Sequence, residues 1–173
     1  LIIDGNVKEV IDGKIHTDIL DLNMRNRAEV NGCWVDIQNR FIVKTDYFDQ
    51  NYTDKEVRLG SYIEENTTVF KLWAPTAYKV NLLIKGEAFE MTLGDKGVFS
   101  YSTNEDLSGV SYLYEVYRDG GVFITCDPYA KASLPNRKAS VVTNLHFDKV
   151  EVKAKGDVIL EMHVRDFSMD PGV

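Results

Sequence analysis

The sequence predicts an all-β protein in two lobes, a small β unit followed by a larger β-sandwich. Turn-competent clusters recur roughly every ten residues. They stand at Asp4-Gly5-Asn6, Asp12-Gly13-Lys14, Asn31-Gly32, Gly94-Asp95-Lys96-Gly97 and Asp119-Gly120-Gly121. Gly, and Asn to a lesser degree, tolerates the positive φ of tight hairpins. Between these clusters the segments are short and rich in Val, Ile, Tyr and Phe, the pattern of a sandwich or barrel. No segment sustains a 3.6-residue apolar period, so long helices are not expected.

Residues 1–50 read as the small β unit, with strands expected at 7–11, 14–20, 33–37 and 40–45. Residues 51–147 form the second unit, and the strand pattern is clearest from residue 57 onward. From Thr67 to Ala74, alternation places Phe70, Leu72 and Ala74 on one face and Val69, Lys71 and Trp73 on the other. Pro75 lacks the N–H a ladder needs and ends that strand. Val80, Leu82 and Ile84 share a face of the next strand. Later, Val110, Tyr112, Tyr114 and Val116 form a continuous apolar row, the expected core face, opposite Ser111, Leu113, Glu115 and Tyr117. Residues 148–173 comprise a Lys/Glu-rich connector, Asp148 to Gly156, and then an apolar strand beginning at Asp157. A strand that ends a chain without a partner exposes its backbone to aggregation. The expectation is therefore that the chain is a fragment, with this strand lying along a surface or pairing with another chain.

The chain has 173 residues, 44% hydrophobic and 27% charged, the balance of a globular protein. No apolar run approaches the roughly 18 residues of a membrane span, and no signal peptide is visible. The net charge of −7, with basic residues scattered, argues against nucleic acid as a partner. Cys33 and Cys126 fit no metal spacing. A disulfide between them is open on sequence grounds, but two small buried apolar residues are the simpler expectation. His16, His146 and His163 are equally dispersed, so neither a metal nor a cofactor is expected. The lack of a paired-cysteine framework leans towards the cytoplasm rather than a secreted or cell-surface location.

Val69-Phe70-Lys71-Leu72-Trp73-Ala74-Pro75-Thr76-Ala77 resembles the opening strand of the carbohydrate-binding module, family 48, that precedes the barrel in pullulanases, isoamylases and branching enzymes. Gly97-Val98-Phe99 is similar to its G-V-W/F strand, and Leu107 to Val116 to its L-x-G-x-x-Y-x-Y-x-V segment. Asp127-Pro128-Tyr129-Ala130-Lys131-Ala132 is similar to its D-P-Y-A-K-A exit. Upstream, Leu59-Gly60-Ser61-Tyr62 resembles the L-G-A-x-Y of type I pullulanases, and Glu161 to Ser168 resembles the first strand of their (β/α)8 barrel. Leu160 departs from the Tyr usual before that strand. The resemblance covers about residues 45–173. It implies an immunoglobulin-like β-sandwich preceded by a small β domain and followed by a truncated first barrel strand.

The resemblance also implies an intact parent that hydrolyses α-1,6 branch linkages in pullulan, starch or glycogen with two carboxylates on later barrel strands. None of those strands is in this sequence, so no catalytic residue is expected here. The implied partners are α-glucan, through the intact enzyme, and the catalytic barrel, through intramolecular contact. Glycogen-binding relatives stack glucose on Trp and hydrogen-bond it with Lys. Here Glu115 stands at the Lys position and Val122 or Phe123 at one Trp position. Those differences favour a module that buttresses the barrel over one that binds sugar strongly. The candidate sugar contacts are Trp73, whose simpler reading is structural packing, and Tyr117 and Phe123, placed outward beside the Asp119-Gly120-Gly121 hairpin. Asp157, Glu161 and Asp166 do not read as a catalytic pair, since residues 161 and 166 differ in strand parity.

Overall fold

The structure is a computed structural model that describes residues 2–3, 7–11, 14–17, 21–39, 41–144 and 160–163. In the first lobe, β1 (Ile2–Ile3), β4 (Arg27–Val30) and β5 (Cys33–Asp36) form an antiparallel sheet in the order β1-β4-β5. The hairpin β2 (Val7–Ile11) with β3 (Lys14–Thr17) stands as a separate ribbon. The expected strand at 14–20 is thus seen as far as Thr17, and residues 18–20 lie outside the described residues. Asn31 and Gly32, both at positive φ, make the tight turn their sequence announces between β4 and β5.

The strand expected at 40–45 does not form. Ile42–Lys44 is a 3-10 turn that leads into helix α1 (Asp46–Tyr52). The apolar run that suggests a strand finds no sheet to enter, and Phe41 and Val43 remain 71% and 52% exposed. The helix is fixed by tertiary packing. Thr45 accepts the Phe48 N–H at 3.3 Å, and Asp46 and Asp49 sit in the first turn, where the helix dipole favours them. Phe48 and Tyr52, one turn apart, stack on each other and bury Leu22.

The sandwich follows, with β6 (Gly60–Glu64), β7 (Thr67–Trp73), β8 (Ala77–Ile84), β9 (Glu87–Glu90) and β10 (Thr92–Leu93) in its first half. The second half holds β11 (Val98–Thr103), β12 (Ser111–Arg118), β13 (Gly121–Thr125), β14 (Ala132–Ser133) and β15 (Ser140–Val141). One sheet runs β10-β11-β7-β6, and the other runs β14-β15-β12-β8-β9 with β13 paired to the far end of β12. Every pairing is antiparallel. The expected inward rows meet in one core. Phe70 and Leu72 come from β7, Val80, Leu82 and Ile84 from β8, and Tyr112 and Tyr114 from β12. A bulge opposite Tyr117 and Arg118 interrupts the parity of β8, so that Ala77 turns into the core and Tyr78 swings out beside Tyr117.

The separate sequence motifs interlock in space. Gly97 packs against Pro75, and a Cβ at 97 would stand 2.5 Å from the Pro75 Cα. Gly60 likewise packs against Tyr129, with 2.9 Å left between a Cβ and the Tyr129 carbonyl oxygen. Buried Thr68 donates to the Glu105 carbonyl at 2.6 Å and accepts the Leu107 N–H at 3.2 Å, which seats Leu107 in the core.

Asp127 is 5% exposed and closes the sandwich. Its Oδ2 accepts the Tyr112 hydroxyl at 2.7 Å and, at the 3.5 Å limit of a hydrogen bond, that of Tyr114. Its Oδ1 accepts the Tyr129 N–H at 2.8 Å, and its own N–H donates to Ser140 Oγ at 2.8 Å. Ser61 of the opposite sheet also bonds to the Tyr112 hydroxyl. Burial holds the Asp127 carboxyl above its ordinary 3.8 despite these donors, and burial pushes both tyrosine hydroxyls well up. The first half of the sequence motif at Glu161 to Ser168 is seen only as the exposed stretch Leu160–His163, which carries no strand, and residues from 164 lie outside the described residues. No helix among the described residues is long and apolar enough to cross a membrane.

Two stability measurements test this packing. Gly97→Ala should destabilise the chain by about 2–4 kcal/mol in chemical denaturation, because it adds a clash to an unfavourable φ. Gly32→Ala, with open space around it, should cost only about 1 kcal/mol. The second concerns pH. Asp127 binds its proton more tightly folded than unfolded, so protonation favours the fold. The stability of the parent chain relative to Asp127→Asn should therefore rise as pH falls from neutral through the raised folded value, with the gain complete below 3.8. A difference that shrinks on acidification would contradict the assigned direction.

Candidate functional site

The sequence singles out Trp73, Tyr117 and Phe123, and the structure divides them between two surfaces. In the β12–β13 hairpin, Val116 stands opposite Phe123 and Tyr117 opposite Val122. Directly paired residues share a face, and neighbours along a strand do not. Tyr117 and Phe123 therefore project to opposite faces of the hairpin and cannot act on one ligand as neighbours. This corrects the expectation that both lie together on the outward side. Parity along one strand is readable from sequence, but the register between two strands had to be seen.

Tyr117 belongs to the outer face of the larger sheet. Its hydroxyl donates to Glu115 Oε2 at 2.9 Å, and the same oxygen accepts from Asn81 Nδ2 at 2.7 Å. That bond raises the Tyr117 hydroxyl above its ordinary value. Lys79 stands 5.6 Å from the Tyr117 ring centre and pairs with Glu90 at 2.6 Å. The Tyr117 ring, hydroxyl and nearest charges are thus already engaged with one another. Glu115 takes part as an acceptor held by two donors.

Trp73 and Phe123 meet instead at a corner of the sandwich, where β7 crosses to β8. Both line a hollow of about 550 Å³ together with Pro75, Thr76, Val116 and Arg118. Trp73 is structural along its edge. Its Nε1 donates to the Tyr52 carbonyl at 2.8 Å and to the Lys96 carbonyl at 3.2 Å, and its ring meets Phe48 edge-on at 6.1 Å. The N–H edge of Trp73 is thus engaged in packing, and the residue also lines the hollow. Phe123 is 43% exposed, and the Arg118 guanidinium lies 4.9 Å from its ring centre. A second hollow, of about 380 Å³, adjoins the first. Gln38, Asn39, Asp119 and Gly120 line it, and it shares Thr76, Arg118 and Phe123 with the first.

The first lobe builds one wall of this corner. Asn23 donates through Nδ2 to the carbonyls of Pro75 at 3.1 Å and Ala77 at 2.9 Å. The Asn39 N–H donates to Asp119 Oδ2 at 3.0 Å, tying the lobe to the hairpin tip. Asp119 and Asn39 escape a reading of the sequence because they are partners 80 residues apart. Arg118 beside a Gly-rich turn was the one visible signal.

The cysteines also differ from expectation. Cys33 is exposed on β5, and Cys126 is partly buried with its thiol donating to the Arg137 carbonyl at 2.9 Å. Both are free thiols. Neither is a buried core residue, because each falls at the edge of a short strand rather than on an inward face. Among the described residues, no group of three or more His, Cys, Asp or Glu is placed to hold a metal ion.

Residues 58–130 match the family model of carbohydrate-binding module 48, the isoamylase N-terminal domain. Over 151 residues the chain is 33% identical to a pullulanase of Bacillus subtilis, a match that covers 80% of this chain and 21% of that protein. It is 27% identical over 176 residues to pullulanase A of Streptococcus pneumoniae, across 78% of this chain and 14% of that protein. Among solved structures, the pullulanase of Anoxybacillus sp. LM18-11 superposes with a TM-score of 0.69 at 28% identity, over 79% of this chain and 21% of that one. The same protein has been solved with maltotetraose. The chain thus spans about a fifth or less of the length of these relatives. Residues 58–130 are thus similar to a family 48 module, and about four fifths of the chain is similar to part of the pullulanases.

Trp73→Phe keeps the ring contact with Phe48 but removes both Nε1 bonds. It should lower stability by about 1–2 kcal/mol, read as a shift in denaturation midpoint at unchanged slope.

Proposed function

We propose that this chain is the non-catalytic N-terminal region of a pullulanase-type debranching enzyme, which hydrolyses α-1,6-glucosidic branch linkages in pullulan, starch or glycogen. The observation that carries the proposal is the family 48 module at residues 58–130 within a chain related over most of its length to pullulanases. In this reading the chain holds no catalytic residue. The sandwich buttresses the catalytic barrel and contacts α-glucan weakly. Trp73, Tyr117 and Phe123 remain the candidate sugar contacts.

The supporting role draws on β13. Among the described residues that strand pairs only with β12, and Val122 and Ile124 are 50% and 63% exposed. Adjacent exposed apolar side chains on an edge strand mark a surface that a partner covers. The glucan role draws on the module family and on the aromatic residues at the corner. A weak site is still useful beside an active site, because tethering converts it into a high local concentration of polymer. A module that binds α-glucan in its own right, through contacts other than the Trp and Lys of glycogen-binding relatives, is the second reading, and the exposed Phe123 favours it.

The test has two parts. Incubated with pullulan, the 173-residue chain should release no reducing ends, and measurable hydrolysis would refute the non-catalytic assignment. Titrated with maltoheptaose and followed by amide NMR, it should show saturable shifts only at millimolar sugar. Micromolar saturation would instead establish a dedicated binding module.

A further inference from the structure

We infer that α-glucan is taken at the corner cleft, astride the Arg118–Phe123 stack, and not on the outer face of the larger sheet. This rests on the glucan-contacting reading above and goes beyond it by assigning a place and new contacts. Two hollows, of about 550 and 380 Å³, share Thr76, Arg118 and Phe123 in their linings, and the Arg118 guanidinium lies 4.9 Å from the Phe123 ring centre. Each is within the usual range for a small-ligand site. The shared lining makes them neighbouring compartments at one corner.

The chemistry of the walls suits a neutral polyhydroxylated chain. Aromatic faces attract the C–H groups on one side of a pyranose through their π density, and Trp73 and Phe123 supply two such rings. Planar amide and guanidinium groups match vicinal hydroxyls, and Asn39 and Arg118 supply those. Arg118 pairs with no carboxylate among the described residues. Its guanidinium carbon lies 4.9 Å from the Phe123 ring centre, a cation–π contact that uses none of its N–H donors in a hydrogen bond. The Asp119 carboxylate beside it already accepts the Asn39 N–H. One positive and one negative group at adjacent positions leave the groove with little net field, so neither an anion nor a cation is preferred.

The outer face offers the contrary case. There the Tyr117 hydroxyl and Asn81 both donate to Glu115, and Lys79 pairs with Glu90. A sugar hydroxyl would compete with these bonds. The groove also spans the first lobe and the sandwich, so bound glucan would bridge them. Gln38 and Asn39 come from one lobe, and Phe123 and Arg118 from the other.

Amide NMR of the 173-residue chain titrated with maltotetraose tests the assignment. The expected shifts cluster at Gln38, Asn39, Thr76, Gly120 and Phe123. Phe123→Ala and, separately, Arg118→Gln should each weaken binding at least tenfold. Unchanged core amides around Phe70 and Tyr114 would show that the fold is intact. Arg118→Gln is the second variant because it removes charge and donors without opening the packing. Shifts confined to Lys79, Asn81, Glu115 and Tyr117, with binding unaltered in both variants, would overturn the cleft while leaving the glucan-contacting reading in place. No saturable shift anywhere in the parent chain at 10-fold higher sugar would overturn both.

Discussion

The Asp127 carboxylate is the point on which the sandwich closes. Four segments reach it: β12 through Tyr112 and Tyr114, β15 through Ser140, the exit segment through Tyr129, and β6 through Ser61 on the Tyr112 hydroxyl. Without it the buried Tyr114 hydroxyl would lose its acceptor, at about 1–3 kcal/mol, and the Tyr112 hydroxyl would keep only serine partners. The arrangement allows large aromatic rings to fill the core while their polar ends gather at one rim. It also fixes the path of the chain beyond β13, since Asp127 cannot move without unpairing its donors. The carboxyl is held above its ordinary value because burial outweighs these hydrogen bonds. The fold tolerates that cost at neutral pH in exchange for a satisfied rim.

A second constraint lies at the β7–β8 corner, where the chain passes from one sheet to the other. Pro75 ends β7, Gly97 allows the turn before β11 of the same sheet to approach it, and the Ala74 N–H donates to the Gly97 carbonyl at 2.9 Å. Asn23 and Trp73 anchor the first lobe to this same corner. The surface hollows lie here because a rigid turn, a hairpin tip and a second lobe converge without filling the space between them. Function, as proposed, occupies the place where packing is geometrically hardest to complete.

These constraints explain why the recurrent motifs sit where they do in the chain. Gly60 of one motif meets Tyr129 of another, Pro75 meets Gly97, and Tyr112 meets Asp127. Each pair is a contact between segments distant in sequence, so a substitution in either partner would be felt at the other. The module is therefore recognisable as a set of spaced signals rather than as one contiguous stretch.

Alternation alone was enough to place Phe70, Leu72, Val80, Leu82, Ile84, Tyr112 and Tyr114 on the inner faces, since a half-buried strand has only two sides. The Asn31-Gly32 turn was equally legible, because few residue pairs accept its positive φ. Three things were not. Helix α1 depends on burying Phe48 and Tyr52 against Leu22, a contact that two turns of local sequence cannot announce. The separation of Tyr117 from Phe123 depends on hairpin register, and one residue of register exchanges the faces of an entire strand. The corner groove depends on Gln38, Asn39 and Arg118 converging from segments up to 80 residues apart. The sequence by itself determined the fold class, the strand faces and the turns, because those follow from steric preference and period along the chain. The tertiary structure alone decided which aromatic residues share a surface, because that follows from pairing between strands, which leaves no periodic trace in either one.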